Sequence, residues 1–229
     1  MIPSEIHNKR ILFSALNWGM GHVSRSIGLI QELEKNHNSI HIACSSEQKK
    51  VYSEYFPNIK YIDHSGYPFK FKGKGSFKND LLSSYRDLKN RLNAELKEVK
   101  LLTENKGFDI VISDHRYGFR SENTTSIFIT HQLNLPIKWY GSFVQKWHEK
   151  LMNKFDTIWV LDFDNSSLAG ELSVNKTGLN VEYIGPYSRF MFRNNEIVKN
   201  GKNVLIASGP AIYAKQFIEE RLPFLKKEE

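Results

Sequence analysis

Short apolar runs rich in β-branched residues recur along the chain, each followed by a helical or polar segment, which is the pattern of a parallel sheet with crossover helices. The runs predict strands over residues 10–16, 39–44, 60–63, 109–113, 126–130, 157–161 and 182–184. Between them, Val23, Ile27, Ile30 and Leu33 repeat on one side of a helix predicted over 23–35. Leu81, Tyr85, Leu88, Leu92, Leu96 and Val99 form one apolar stripe of a longer helix over 79–103 with a charged outer face. A third helix is expected over 141–154. The class these elements point to is α/β, a doubly wound, mostly parallel Rossmann-like sheet.

After Gly185 and Pro186 the alternation pauses for a polar stretch over 192–202. A new strand over 203–207 then leads into Ser208-Gly209-Pro210 and a helix, which has the look of a fresh βα unit. Independent domains need roughly 50 residues or more, so this unit is expected to be an incomplete second domain. The organisation expected is one Rossmann-like domain over 1–190, then a linker and the first βα unit of that second domain over 191–229.

Composition narrows the classes. With 40% hydrophobic and 13% aromatic residues in 229, the chain lies well away from intrinsic disorder. The single cysteine excludes an internal disulfide framework, and Cys44 sits in an apolar run where an inert buried thiol is expected. The first ten residues are polar, and no stretch of about 18 apolar residues occurs, so neither a spanning helix nor a secretion signal is expected and a cytoplasmic location fits. A net charge of +7 permits an anionic partner, whether nucleic acid, lipid surface or phosphorylated substrate.

The first strand empties into Asn17-Trp18-Gly19-Met20-Gly21-His22, and the helix that follows turns backbone N–H groups and its positive end toward the carboxyl edge of the sheet. That edge is where ligands bind in doubly wound sheets. The dinucleotide fingerprint fails in two places: Ser24 stands at its third glycine, and Cys44-Ser45-Ser46 stands where a ribose-binding acid belongs. A nicotinamide enzyme is therefore disfavoured. His22, at the helix N-terminus, has its charged form disfavoured by the dipole and can accept a proton, although a packing or capping histidine reads the same way. Asp114 follows the fourth strand on the same edge and can orient that ring as the second member of a dyad, or can be a turn residue or helix cap. Arg25, Arg116 and Arg120 fall near this edge, where arginine either binds phosphate or faces solvent.

In sequence, Gly19-Met20-Gly21-His22-Val23-Ser24-Arg25-Ser26 resembles the G-x-G-H loop of MurG-like glycosyltransferases, glycosyltransferase family 28 in the broad sense. Ser113-Asp114-His115-Arg116, Thr130-His131-Gln132 and Tyr183-Ile184-Gly185-Pro186 are similar to that family as well, in the same order on suitable strands. The resemblance implies a GT-B fold, in which an N-terminal Rossmann-like domain binds the acceptor and a C-terminal one binds most of a nucleotide-sugar donor. It makes 1–190 the acceptor-binding domain and 191–229 the linker and start of the donor-binding domain. His22 would then be the base that activates the acceptor, with Asp114 orienting it. Gly19, Gly21, Arg25, Arg116, His131, Ser208 and Gly209 would contact donor diphosphate or acceptor.

The implied activity is sugar transfer from a nucleotide sugar, UDP-linked, to a hydroxyl acceptor that can be lipid-linked, with no cofactor and no metal. The alternative is a non-catalytic acceptor-binding or membrane-docking half of a split glycosyltransferase, completed by a second subunit or a missing C-terminal domain.

Other motifs compete less well. Asp162-Phe163-Asp164 is the D-x-D pattern by which GT-A enzymes hold a metal, but it is also common in polar turns after strands. The loop over 66–78 interleaves Tyr67, Phe69, Phe71 and Phe77 with lysines and contains no acid. It could sit on an anionic membrane at the inner face, stack on single-stranded nucleic acid (ranked last), or pack its aromatics on the following helix. Pro68 stands where a P-loop requires its first glycine, His115, His131 and His148 lack zinc-site spacing, and no G-x-S-x-G elbow is present.

Overall fold

A computed structural model describes residues 1–68, 85–136, 142–192, 207 and 211–225. Seven strands form one all-parallel sheet: β1 (Arg10–Ala15), β2 (Ser39–Cys44), β3 (Lys60–Asp63), β4 (Ile110–Asp114), β5 (Thr125–Thr130), β6 (Thr157–Val160) and β7 (Val181–Tyr183). Their order is β3-β2-β1-β4-β5-β6-β7, so the winding reverses between β1 and β4. All seven predicted strands form, each within about one residue of its expected bounds, a spread ordinary for strand ends.

The described helices are α1 (Gly21–Lys35), α2 (Ser46–Tyr55), α3 (Tyr85–Lys106), α4 (Ser142–Met152) and α5 (Ala211–Leu225). In α1 the predicted stripe is the buried one: Val23, Ile27, Ile30 and Leu33 pack with Ile11, Phe13 and Ile42 of the sheet. Residues 79–84 of the long predicted helix lie outside the described residues, and from Tyr85 it runs on to Lys106, three residues past its expected end. Residues 203–206 of the strand expected over 203–207, Ser208, Gly209 and most of the 66–78 loop also lie outside the described residues. The helix expected after Pro210 is α5.

Among the described residues, one α-helix was not expected. Residues 46–55 read SEQKKVYSEY, too polar for an apolar stripe, yet α2 forms because Ser45 accepts from the Gln48 backbone and Gln48 reaches back to the Ser45 N–H, a capping box. Its buried Tyr52 lies against α1, with its hydroxyl 2.7 Å from Ser26 Oγ. Beyond β7 the chain returns to α1: Tyr187 Oη donates to Glu32 at 2.6 Å, and the Ser188 carbonyl lies so close to Gly28 that a methyl there would stand 2.5 Å from it. Cys44 is a buried core residue, and burial pushes its thiol up to about 12, as expected of an inert cysteine.

Candidate functional site

The register of the central strands brings the two expected site residues together. Ala15 at the end of β1 pairs with Asp114 at the end of β4, so the His22 loop leaves the sheet beside the Asp114 carboxylate, at the point where the winding reverses. His22 and Arg25 stand three apart on α1 and therefore share a face. His22 Nδ1 lies 3.0 Å from Asp114 Oδ1, and Arg25 Nε donates to Asp114 Oδ2 at 2.8 Å while its Nη2 closes a second bond to Oδ1. Asp114 itself is 1% exposed.

Burial alone would raise the Asp114 carboxyl, but the Arg25 guanidinium and His22 outweigh it and hold the group well below the usual carboxylate range. Asp114 is thus a fixed anion at the foot of the site. His22 Nδ1 also lies 2.8 Å from Arg25 Nη2. A guanidinium can only donate and a carboxylate only accept, so the imidazole tautomer decides which of the two Nδ1 bonds forms.

Two more histidines complete the cluster. Arg25 Nη1 lies 2.9 Å from His131 Nδ1, which must accept, leaving the proton of the neutral ring on Nε2. Burial, then the Arg25 and His22 charges, lower His131 to about 4. His115 holds a left-handed backbone, φ 58°, with its Nε2 2.9 Å from Thr130 Oγ1 and its ring centroid 5.3 Å from that of His22. Burial and the same two neighbours push it well below the ordinary histidine range. Asp114 and Arg25 therefore share the site with the two half-buried imidazoles of His115 and His131, both uncharged at neutral pH.

Above this cluster the loop is open. Gly19 has φ 98°, a conformation that favours glycine, and a Cβ added at Gly19 or Gly21 would meet no atom within 4 Å. No side chain caps the N-terminus of α1, so its first N–H groups are turned toward the same space.

Arg116 corrects the expectation that it contacts phosphate. It is fully buried, with Nε donating to Glu95 Oε1 at 2.7 Å and Nη2 to the Ser65 carbonyl at 2.7 Å, so its fork is turned into the protein. Arg120 is also largely buried, with Nη1 3.7 Å from Glu122 Oε1.

Tyr67, one of the aromatics of the loop over 66–78, is buried too and donates to Glu95 Oε2 at 2.5 Å. Asp162 of the D-x-D pattern accepts from the Phe163, Leu168 and Ala169 backbone N–H groups and from Ser173 Oγ, so its oxygens are occupied in closing a turn. His148 is a core histidine: Nε2 donates to the Gln132 carbonyl at 3.0 Å and Nδ1 accepts from Tyr117 Oη at 2.7 Å. Among the described residues, no group of three or more His, Cys, Asp or Glu side chains could hold a metal ion, and no helix is long and apolar enough to cross a membrane.

Glu95 escaped sequence reasoning, although a signal was present. It occupies a position in the stripe of Leu88, Leu92, Val99 and Leu102 where an apolar residue is expected, and a charge at such a position needs buried partners.

No protein-family model matches the chain, and no curated protein matches it in sequence. Among solved structures, the glycotransferase of kitacinnamycin matches with a TM-score of 0.58 at 14% identity, covering 88% of this chain and 56% of that one. A UDP-N-acetylglucosamine 2-epimerase (TM-score 0.47, 11% identity, 77% of this chain and 48% of that one) and MurG of Acinetobacter baumannii (0.43, 10%, 68% and 42%) also match, below the level at which a likeness carries weight. The first match bears on the fold: the Rossmann-like α/β architecture expected from the alternating strands and helices is shared with a glycosyltransferase, of whose length this chain spans 56%.

Proposed function

We propose that the protein transfers a sugar from a nucleotide sugar to a hydroxyl acceptor. The observation that carries this reading is the His22–Asp114 contact at the switch point, directly below an open glycine loop and an uncapped helix N-terminus. In the Nδ1–H tautomer His22 donates to the fixed Asp114 anion, and its Nε2 lone pair is available to take the proton of an acceptor hydroxyl as that oxygen attacks the sugar. The imidazolium so formed is stabilised by Asp114. Negative charge developing on the departing diphosphate is favoured near the N–H groups of α1 and the Gly19–Gly21 backbone. His131, with Nε2–H, is a neutral donor at the edge of the same space.

The donor class in this reading is a UDP-sugar used as co-substrate, with no further cofactor and no metal. The acceptor is a hydroxyl compound, which can be lipid-linked, and the setting is cytoplasmic. Ser208 and Gly209 would begin a donor-side loop. A second reading is a binding half that works with a separate donor-side polypeptide, using the same His22, Arg25 and Asp114 cluster to hold an acceptor.

The test is release of nucleoside diphosphate from a panel of nucleotide sugars offered with hydroxyl acceptors, using the wild-type chain and His22→Ala. Release by wild type and its loss in the variant supports the catalytic reading. Acceptor binding by calorimetry without release from any donor replaces it with the binding-half reading.

A further inference from the structure

Three loops meet at the carboxyl edge beside the site, and one buried carboxylate touches two of them. Glu95 projects from α3 and is fully buried. Its Oε2 accepts from Tyr67 Oη at 2.5 Å, while Oε1 accepts from Arg116 Nε at 2.7 Å and lies 3.0 Å from His64 Nε2. Arg116 is two residues beyond Asp114. Its Nη2 also donates to the Ser65 carbonyl, so the segment after β3 and the segment after β4 are tied to each other as well as to Glu95. The Gly118 backbone N–H donates to Tyr67 Oη at 3.2 Å and closes the ring of contacts.

The same Ser65–Tyr67 segment reaches the His22 loop. The Tyr67 backbone N–H donates to Asn17 Oδ1 at 2.9 Å, and Gly66 approaches the Asn17 side chain so closely that a methyl at Gly66 would stand 2.1 Å from Asn17 Nδ2. Asn17 is the second residue after β1 and opens the loop that delivers Gly19, Gly21 and His22. The contacts therefore run in a closed circuit from Asp114 through Arg116, Glu95, Tyr67 and Asn17 to His22. Its two ends also meet directly, through the His22–Asp114 pair, through Arg25 between them and through the Leu16 N–H, which donates to the Asp114 carbonyl at 2.9 Å.

We infer that Glu95 is a positioning residue for the site: by gripping Tyr67 and Arg116 it sets the spacing between the loop that carries His22 and the strand end that carries Asp114. Glu95 does not touch the space above His22 and takes no proton. Its contribution is that neither loop can shift without breaking a charge-assisted or buried hydrogen bond. The role in transfer rests on the proposed function, whereas the mechanical link does not.

The test uses the full chain and variants that keep the buried Glu95–Arg116 pair, since Glu95→Gln itself risks leaving a buried cation without its partner. Tyr67→Phe removes the grip on Glu95, Asn17→Ala removes the acceptor for the Tyr67 N–H, and Gly66→Ala displaces the Asn17 side chain. The readouts are amide hydrogen exchange over residues 16–22 and the nitrogen resonances of the His22 imidazole. All three variants are expected to raise exchange in 16–22 by about tenfold, leave exchange in β5 and β6 at the wild-type level, and shift the His22 resonances toward a mixture of tautomers.

Asn17→Asp, which retains an oxygen acceptor for Tyr67, is expected to keep the wild-type His22 spectrum. Where transfer is measurable, kcat falls in the three variants with KM for the donor unchanged. Unaltered exchange and an unaltered His22 spectrum in both Tyr67→Phe and Asn17→Ala overturn the inference. The exchange response in a wild-type chain that shows no transfer supports the link and rejects only the transferase reading.

Discussion

His22 Nδ1 and Asp114 Oδ1 face each other at 3.0 Å although 92 positions separate the residues in sequence. The pair exists because β1 and β4 are neighbours in the sheet, and its consequence for chemistry is a histidine with one nitrogen occupied and one open. Replacing His22 by alanine is expected to lower kcat of sugar transfer by about 10²–10⁴-fold, the range for loss of a positioned general base. Asp114→Asn should cost a comparable factor, because an amide can present its N–H to Nδ1 and reverse the tautomer. A steady-state comparison of the three proteins checks both, and equal rates in all of them remove the dyad from the mechanism.

Acid should weaken the fold in two stages. His131 falls from 6.5 in an unfolded chain to about 4 in the fold, so the unfolded state binds the extra proton first, and stability present above 6.5 is lost as pH falls toward 4. Asp114 is depressed below 3.8, so its contribution is present above that value and is lost as pH falls further. Urea unfolding from pH 7 to pH 2 follows the first stage and the onset of the second. His115, also depressed, shares the first stage, so His131→Gln is expected to make it shallower without removing it, and Asp114→Asn to weaken the second.

The buried Arg116–Glu95 pair predicts a stability effect separable from catalysis. Arg116→Met leaves a fully buried carboxylate without its cation and is expected to cost about 3–5 kcal/mol. Adding Glu95→Leu should recover part of that loss. Denaturant midpoints of the single and double variants decide the matter, and a single variant as stable as wild type would contradict the burial assigned to Arg116.

Gly28→Ala tests the return of the chain after β7. In an exposed helix the change would gain about 1 kcal/mol. Here the new methyl meets the Ser188 backbone at 2.5 Å, and backbone cannot step aside as a side chain does. Overpacking of about 1–3 kcal/mol should dominate. A lower thermal midpoint, with faster exchange over residues 185–192, is the expected result.

The turn held by Asp162 predicts indifference to chelators. Since both carboxylate oxygens accept from turn N–H groups and Ser173, excess EDTA should leave transfer unchanged, whereas Asp162→Ala should lose about 1–3 kcal/mol of stability. Restoration of a lost activity by added divalent cation would reverse this assignment.

β1, β2, β4, β5 and β6 were legible because each is a short apolar run buried on both faces, whereas the shorter, half-exposed edge strands β3 and β7 were legible from their place in the alternation. α1 was legible for the same reason, its stripe of Val23, Ile27, Ile30 and Leu33 being a local property. α2 was not, because it is held by a capping box and by Tyr52 and carries few apolar residues. At the site, His22 and Asp114 could be placed on one edge by strand order alone. The burial of Arg116 could not, since it depends on Glu95, which lies on a helix 21 positions earlier and is brought there only by packing. Edge placement fixes where a backbone ends; whether a long side chain turns outward or inward is decided by a partner the local sequence does not contain.

The order of strands across the sheet also bears on how the protein matures. The segment from β1 to β3 can pair within itself, and it already contains α1 with His22 and Arg25. It contains no counterpart for the Asp114 carboxylate, which arrives only when β4 docks on the free side of β1. On its own that segment would present His22 and Arg25 with no anion between them, and under the proposed function the site would be complete only once the β1–β4 seam has closed. Recovery of activity during refolding should therefore follow the slow long-range pairing, later than the burst of helix formation.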